Sequence, residues 1–241
     1  MKRAQRHHLK ENDLQVLARQ AREAYGTRKR EASWLVAALV IVAVVGVGYF
    51  GWREHVQTTA GALLADAMAV QDARIGPPPA PGTTSAAPYF PTEHERTLTA
   101  LVKFKAAADA YPSTDAGIFA RYRQAATSTS LGNYSEAAKA YQQVIDTAGG
   151  NILGQMARLG VAEAQAHSGQ YGQAINTFKE LSERKDGTLP IDGILIELGR
   201  TYVQAGKASD AKQTFTRLVE EFPESPFNAD AKRELDNLKK I

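Results

Sequence analysis

The 241-residue sequence predicts an all-α protein, in which an N-terminal transmembrane helix is followed by a solenoid of helix–turn–helix units. Three observations predict it. Residues Trp34 to Trp52 form a run of 19 residues without a charge. Glycines 132, 169 and 206 recur 37 residues apart, each followed by the same pattern of small, aromatic and aliphatic residues. Between these two regions, six of the ten prolines fall in residues 76–92 and interrupt any regular element.

Residues 1–33 carry nine Lys/Arg against four acids, whereas residues 53–72 carry a single basic residue, Arg53. Basic residues flanking a span stay in the cytoplasm, so 1–33 reads as a basic cytoplasmic tail and the C-terminal part as extracytoplasmic. Residues 34–52 read as an uncleaved signal anchor. As a helix they reach about 28 Å, close to the hydrocarbon thickness of a bilayer. Trp34 at one end and Tyr49, Phe50 and Trp52 at the other stand where interfacial aromatics are expected. A cleaved signal peptide is the competing reading, with Ala60-Gly61-Ala62 as a cleavage site. The apolar run is too long for it, and the segment before the run is long for an n-region.

The net charge of +3 belongs to the tail, because residues 53–241 sum to −2. No basic stripe continues into the folded part, so nucleic acid is not an expected partner. The tail, with Leu9, Leu14, Leu17, Ala21 and Ala24 among its charges, acts as a topology determinant or as a helix lying on anionic lipid. There is no cysteine, so the extracytoplasmic part holds together by burial alone.

Residues 53–75, with Leu63, Leu64, Ala67, Met68 and Val70, read as a juxtamembrane helix. Residues 76–92 form a Pro-rich linker, read as an extended connector rather than a ligand for a proline-recognising domain. Thr92-x-x-Glu95 is a capping-box pattern that opens the next helix and the domain 93–241.

Within 93–241 each repeated glycine is followed at fixed offsets by Ala137, Ala174 or Ala211, then Tyr141, Phe178 or Phe215, then Val144, Leu181 or Leu218. The logic is a pair of helices. Glycine permits the turn, the small alanine lets two backbones approach, and the ring fills the space beside them. Ala100, Phe104, Ala107 and Pro112 occupy the same second-helix positions in a preceding half-unit. Its first helix is then the segment just after the membrane. Ser225-Pro226 reads as an N-cap and N1 proline opening a last polar helix to Lys240, a solenoid cap.

These residues resemble the tetratricopeptide repeat. The third unit matches best, with Leu198-Gly199-x-x-Tyr202, Gly206, Ala211, Phe215, Leu218 and Pro223. The second has Val161-Ala162 and Gly169-x-Tyr171, and the first has Gln124-Ala125 and Ser128 where the family prefers Leu-Gly and Tyr. The spacing of 37 rather than the family's 34 implies longer linkers between units, such as Glu183–Pro190. The whole layout resembles the bacterial inner-membrane family of ancillary Sec translocon subunits, as does the tail segment Arg6-His7-His8-Leu9-Lys10-Glu11-Asn12-Asp13. The step Phe222-Pro223-Glu224-Ser225-Pro226 also resembles units of the periplasmic cell-division coordinator and of the β-barrel-assembly lipoprotein. The Pro-rich insertion departs from the family pattern.

The resemblance implies a protein–protein interaction module in the inner membrane with its domain in the periplasm. Its expected partners are the translocon, periplasmic chaperones or exported clients. The alternative is a structural or regulatory scaffold for division, cell-wall synthesis or outer-membrane assembly. In this family the first helices line a concave face. By that register Phe119, Tyr122 and Ala126, then Met156, Leu159 and Glu163, then Ile196 and Arg200 point inward, either as a partner-binding face or as packing between helices. The family's clamp for a terminal carboxylate is not expected, because Tyr122, Leu159 and Ile196 stand where it uses Lys and Asn.

No enzyme, cofactor or metal is expected. The chain has no Gly-rich phosphate loop, no HExxH and no GxSxG. Its five histidines are His7, His8, His55, His94 and His167, and the adjacent pair lacks further ligands.

Overall fold

The structure is a computed structural model that describes residue 19 and residues 29–77, 88–184 and 188–240. Most of the basic tail with His7-His8, the middle of the Pro-rich stretch and the inner part of the Glu183–Pro190 linker lie outside the described residues. The described residues form α1 (Lys29–Gln71), β1 (Arg74–Ile75), β2 (Tyr89–Phe90), α2 (Glu93–Ala110), α3 (Asp115–Ser130), α4 (Tyr134–Ala148), α5 (Ile152–His167), α6 (Tyr171–Glu183), α7 (Ile191–Gln204), α8 (Ala208–Glu221) and α9 (Asn228–Leu238). They belong to two compact units, Met1–His55 and Val56–Ile241.

In the first unit, α1 is apolar on every side and its side chains are exposed, Trp34 at 70% and Val47 at 75%. A helix apolar all round is one that a protein core or a bilayer buries, and none of the apolar window of α1 is buried within the described fold. Among the described residues it is the one helix long and apolar enough to cross a membrane.

In the second unit, α1 from Val56 onward turns amphipathic. Ala67 and Val70 pack with Ala100, Phe104 and Ala107 of α2 and Ala120 of α3. The segment after the apolar run thus supplies the first helix of the half-unit, as the repeat register expects. Arg96 donates from Nη1 to the Ala73 carbonyl (3.2 Å), and Lys103 pairs with Asp66. β1 and β2 form a two-residue parallel pairing, Arg74 with Tyr89 and Ile75 with Phe90. The residues on either side of the middle of the Pro-rich stretch are therefore paired with each other. Its two ends are pinned together, which an extended connector does not require.

From α2 onward each helix packs on the next, and the first helices α3, α5 and α7 also touch in succession. The turns fall where the glycines predict. Gly132, Gly169 and Gly206 have φ of 77°, 80° and 71°, a left-handed conformation that residues with a Cβ rarely adopt. Thr92 caps α2 as expected, with the Glu95 N–H donating to Thr92 Oγ1 at 3.2 Å. The repeated alanines, rings and aliphatics are all buried: Ala137, Ala174 and Ala211 at 0%, and Phe178 and Phe215 likewise. Gly199 explains how a ring fits between helices. A Cβ there would lie 2.2 Å from the Phe215 ring, so only glycine lets α7 and α8 close on it.

The last helix departs from expectation. It begins at Asn228 rather than after Ser225-Pro226, and its N-cap, Phe227, makes no side-chain capping bond. The Ser225 hydroxyl is used otherwise. It accepts from the Phe227 N–H (3.1 Å) and donates to Asp192 Oδ2 on α7 (2.7 Å), fixing the turn to the preceding unit.

Candidate functional site

The succession α3–α5–α7 places one side of three first helices next to each other, and α4 brings a ring to the same place. Gly160 on α5 makes this possible. A Cβ at Gly160 would lie 2.4 Å from the Tyr141 ring, so its absence lets that ring lie flat against the helix. Tyr122 on α3 meets Tyr141 edge-on, with ring centroids 5.6 Å apart, and Phe119 stacks on Tyr122 at 6.3 Å. Around this aromatic group opens a cavity of about 360 Å³. Its walls are Tyr122, Tyr141, Ile152, Met156, Leu159, Gly160 and Glu163, closed on one side by Thr188, Leu189 and Pro190.

Of the eight residues that the register pointed inward, four thus meet in one cavity: Tyr122, Met156, Leu159 and Glu163. Phe119 stands beside them through its ring contact. The other three lie elsewhere. Ala126 packs against the middle apolar cluster. Ile196 is 1% exposed in the C-terminal core, which fits the alternative that these positions pack between helices. Arg200 pairs with Glu197 (3.0 Å) and with Asp230 on α9 (3.0 Å), which ties α7 to the last helix. The reason is rotation. In a degenerate unit the inward and buried stripes of a first helix lie about one residue apart, and periodicity does not separate them.

Sequence reasoning missed Tyr141 as a wall and missed Thr188–Pro190. The signal for the second was present in the longer linker Glu183–Pro190, whose last three residues line the cavity. The signal for the first was Leu159-Gly160, a Leu-Gly pair two residues out of phase with Leu198-Gly199.

Glu163 is the one carboxyl in the wall. It makes no hydrogen bond or ion pair to another described residue. Burial first, and the Glu197 charge second, push its pKa from 4.5 up to about 7. Its charge in turn helps raise Tyr122 and Tyr141, both held up mainly by burial. The consequence for stability has a definite sign. The folded state keeps a proton that the unfolded state releases above 4.5, so the stabilisation is complete below pH 4.5 and lost as pH rises through about 7. Glu163→Gln, neutral at every pH, is therefore expected to be more stable than the parent at pH 8 by on the order of 1–3 kcal/mol, with the gap closing toward pH 4. Thermal melts of the two proteins across that range measure it. Equal gaps at both ends would contradict the assignment.

Among the described residues no three or more His, Cys, Asp or Glu come together to hold a metal. The cavity offers apolar walls, aromatic faces and one carboxyl, a chemistry of binding.

The sequence profile of the tetratricopeptide repeat-like domain family matches residues 29–240. Two crystal structures of nearly identical TPR-like repeats, from a Podosopora anserina chain named as a kinesin light chain, superpose with TM-scores of 0.54 and 0.53. Each is 15% identical and covers 61% of this chain and 79% or 80% of its own, a likeness of fold alone. No curated protein matches the chain in sequence. Repeats of this type serve as protein-interaction scaffolds. A profile that spans α1 to the last helix, the stacked helical hairpins and the buried small-residue and ring positions agree: the chain belongs to the tetratricopeptide repeat-like domain family.

Proposed function

We propose that this protein is a membrane-anchored interaction module that holds a segment of a partner protein on the α3–α5–α7 face. It works on the extracytoplasmic side of the bacterial inner membrane, in protein export or chaperone and client handling near the Sec translocon. The observation that carries the binding reading is the cavity. Tyr122, Met156 and Leu159 are only partly buried and stand around an open apolar space. The exposed apolar part of α1 and the basic excess before it support the anchor and its direction. The resemblance of the tail and layout to ancillary translocon subunits supports the place of action.

Two measurements test this reading. A reporter fused after Ile241 that is active only outside the cytoplasm is expected to be active, and activity of a cytoplasm-only reporter there overturns the orientation. For the face, Tyr122→Ala and Leu159→Ala are each expected to weaken partner capture by on the order of 1–2 kcal/mol. High salt is expected to change capture little, because apolar burial drives it. Ile196→Ala, a core truncation, lowers the melting temperature instead, by about 2–5 kcal/mol of stability. Photo-crosslinks from positions 122 and 159 in intact membranes are expected on export proteins or their clients. Crosslinks confined to division, wall-synthesis or outer-membrane assembly proteins would assign the scaffold role in its place.

A further inference from the structure

The cavity is built from aromatic and aliphatic walls around one carboxyl, a combination that apolar capture alone does not need. Glu163 lines the same cavity as Tyr122 and Tyr141 without a hydrogen-bond or ion-pair partner among the described residues, and the described walls contain no cation to balance it. Arg200 on α7 is held by Glu197 and Asp230, and Arg123 on α3 lies over the Phe104 ring at 5.8 Å, with its Nε unpaired and its charge acting on Tyr122 and Tyr141. Glu197 adds a second negative charge toward the same carboxyl from α7. A carboxylate flanked by aromatic faces in a partly desolvated pocket matches an ammonium or guanidinium group on an aliphatic stem. The stem lies along Leu159 and Met156, the cation meets the π-faces, and the carboxylate accepts its N–H bonds.

Resting on the binding reading above, we infer that the segment held by this face carries a lysine or arginine between apolar residues, and that this basic side chain enters the Tyr122–Tyr141–Leu159 cavity to pair with Glu163. The polarity is opposite to that of a basic clamp gripping a terminal carboxylate. It also gives the site a definite pH response. The bound cation favours ionised Glu163, whose free carboxyl holds its proton up to about pH 7, so the preference for a basic residue strengthens from pH 5.5 to pH 8. Being partly buried, the pair is screened by salt less than a surface pair.

The test is a selection of phage-displayed random peptides on the full chain held in phosphatidylcholine nanodiscs, a lipid without net charge that does not itself attract basic peptides. Nanodiscs lacking the protein serve as the reference. Peptides with one Lys or Arg flanked by apolar residues are expected to be enriched about tenfold over their uncharged counterparts at pH 8. The enrichment is expected to be weaker at pH 5.5. With Glu163→Gln, apolar peptides are still enriched but the basic preference disappears, and a melting curve on the same sample establishes that the variant is folded. Apolar peptides enriched without any basic preference, or a preference that persists in Glu163→Gln, overturns the pairing and leaves the apolar groove standing. No enrichment over empty nanodiscs overturns both readings.

Discussion

Replacing Ala174 by arginine (Ala174→Arg) is expected to unfold the unit formed by α6 and its neighbours. Ala174 is 0% exposed and sits in the cluster that joins α5 through α9, at the position where the second helix of a unit approaches the first most closely. An arginine there must drive two helices apart or bury a charge that has no partner. Either costs more than about 4 kcal/mol, a large part of the stability of a domain this size. The expected result is loss of the cooperative thermal transition for the C-terminal helices and early proteolysis within α6–α9. An unchanged melting point would show that the two helices do not meet at Ala174.

Phe215→Ala is the second large effect. Its ring is 0% exposed and fills the gap left by Gly199, so truncation leaves a cavity that close-packed helices cannot collapse into. The expected cost is about 3–5 kcal/mol, or roughly 10 °C in melting temperature. The loss should be uneven. The second unit contains three separate apolar clusters, with Phe104 in the N-terminal one, Tyr141 in the middle one and Phe215 in the C-terminal one. Each repeat of a solenoid contacts mainly its neighbours, so amide exchange should accelerate in α7–α9 first and least in α2–α3. Uniform acceleration over all helices would show that the clusters form one cooperative core.

Both expectations rest on residues legible in the sequence. Ala174 and Phe215 stood out because the same residue types recur at fixed offsets from a glycine, and local physics forces that recurrence. A left-handed turn needs glycine, a close helix crossing needs a small side chain, and the gap beside it needs a ring. The apolar run Trp34–Trp52 was legible for a similar reason, since an uncharged stretch of that length has few ways to exist in water. The cap at Thr92 rests on four consecutive residues, and its Thr92 bond formed as expected. All of these are local or periodic constraints.

What the tertiary structure decided depends on rotation and on residues far apart in the chain. It buried Ile196 and tied Arg200 to Asp230, although the register placed both on the open face. It moved the start of the last helix to Asn228 because Ser225 bonds to Asp192, a partner 33 residues away that no capping pattern reveals. It brought the ends of the Pro-rich stretch together through Arg74 and Tyr89. It also assembled the cavity from α3, α4, α5 and the loop before α7, placing Glu163 in one wall with two tyrosines. Sequence alone determined the apolar helix, the helical hairpins and their core positions, because each follows from the chemistry of a short window. The site required the structure, because a helix turns 100° per residue and a shift of one residue decides whether a side chain faces the core or the partner.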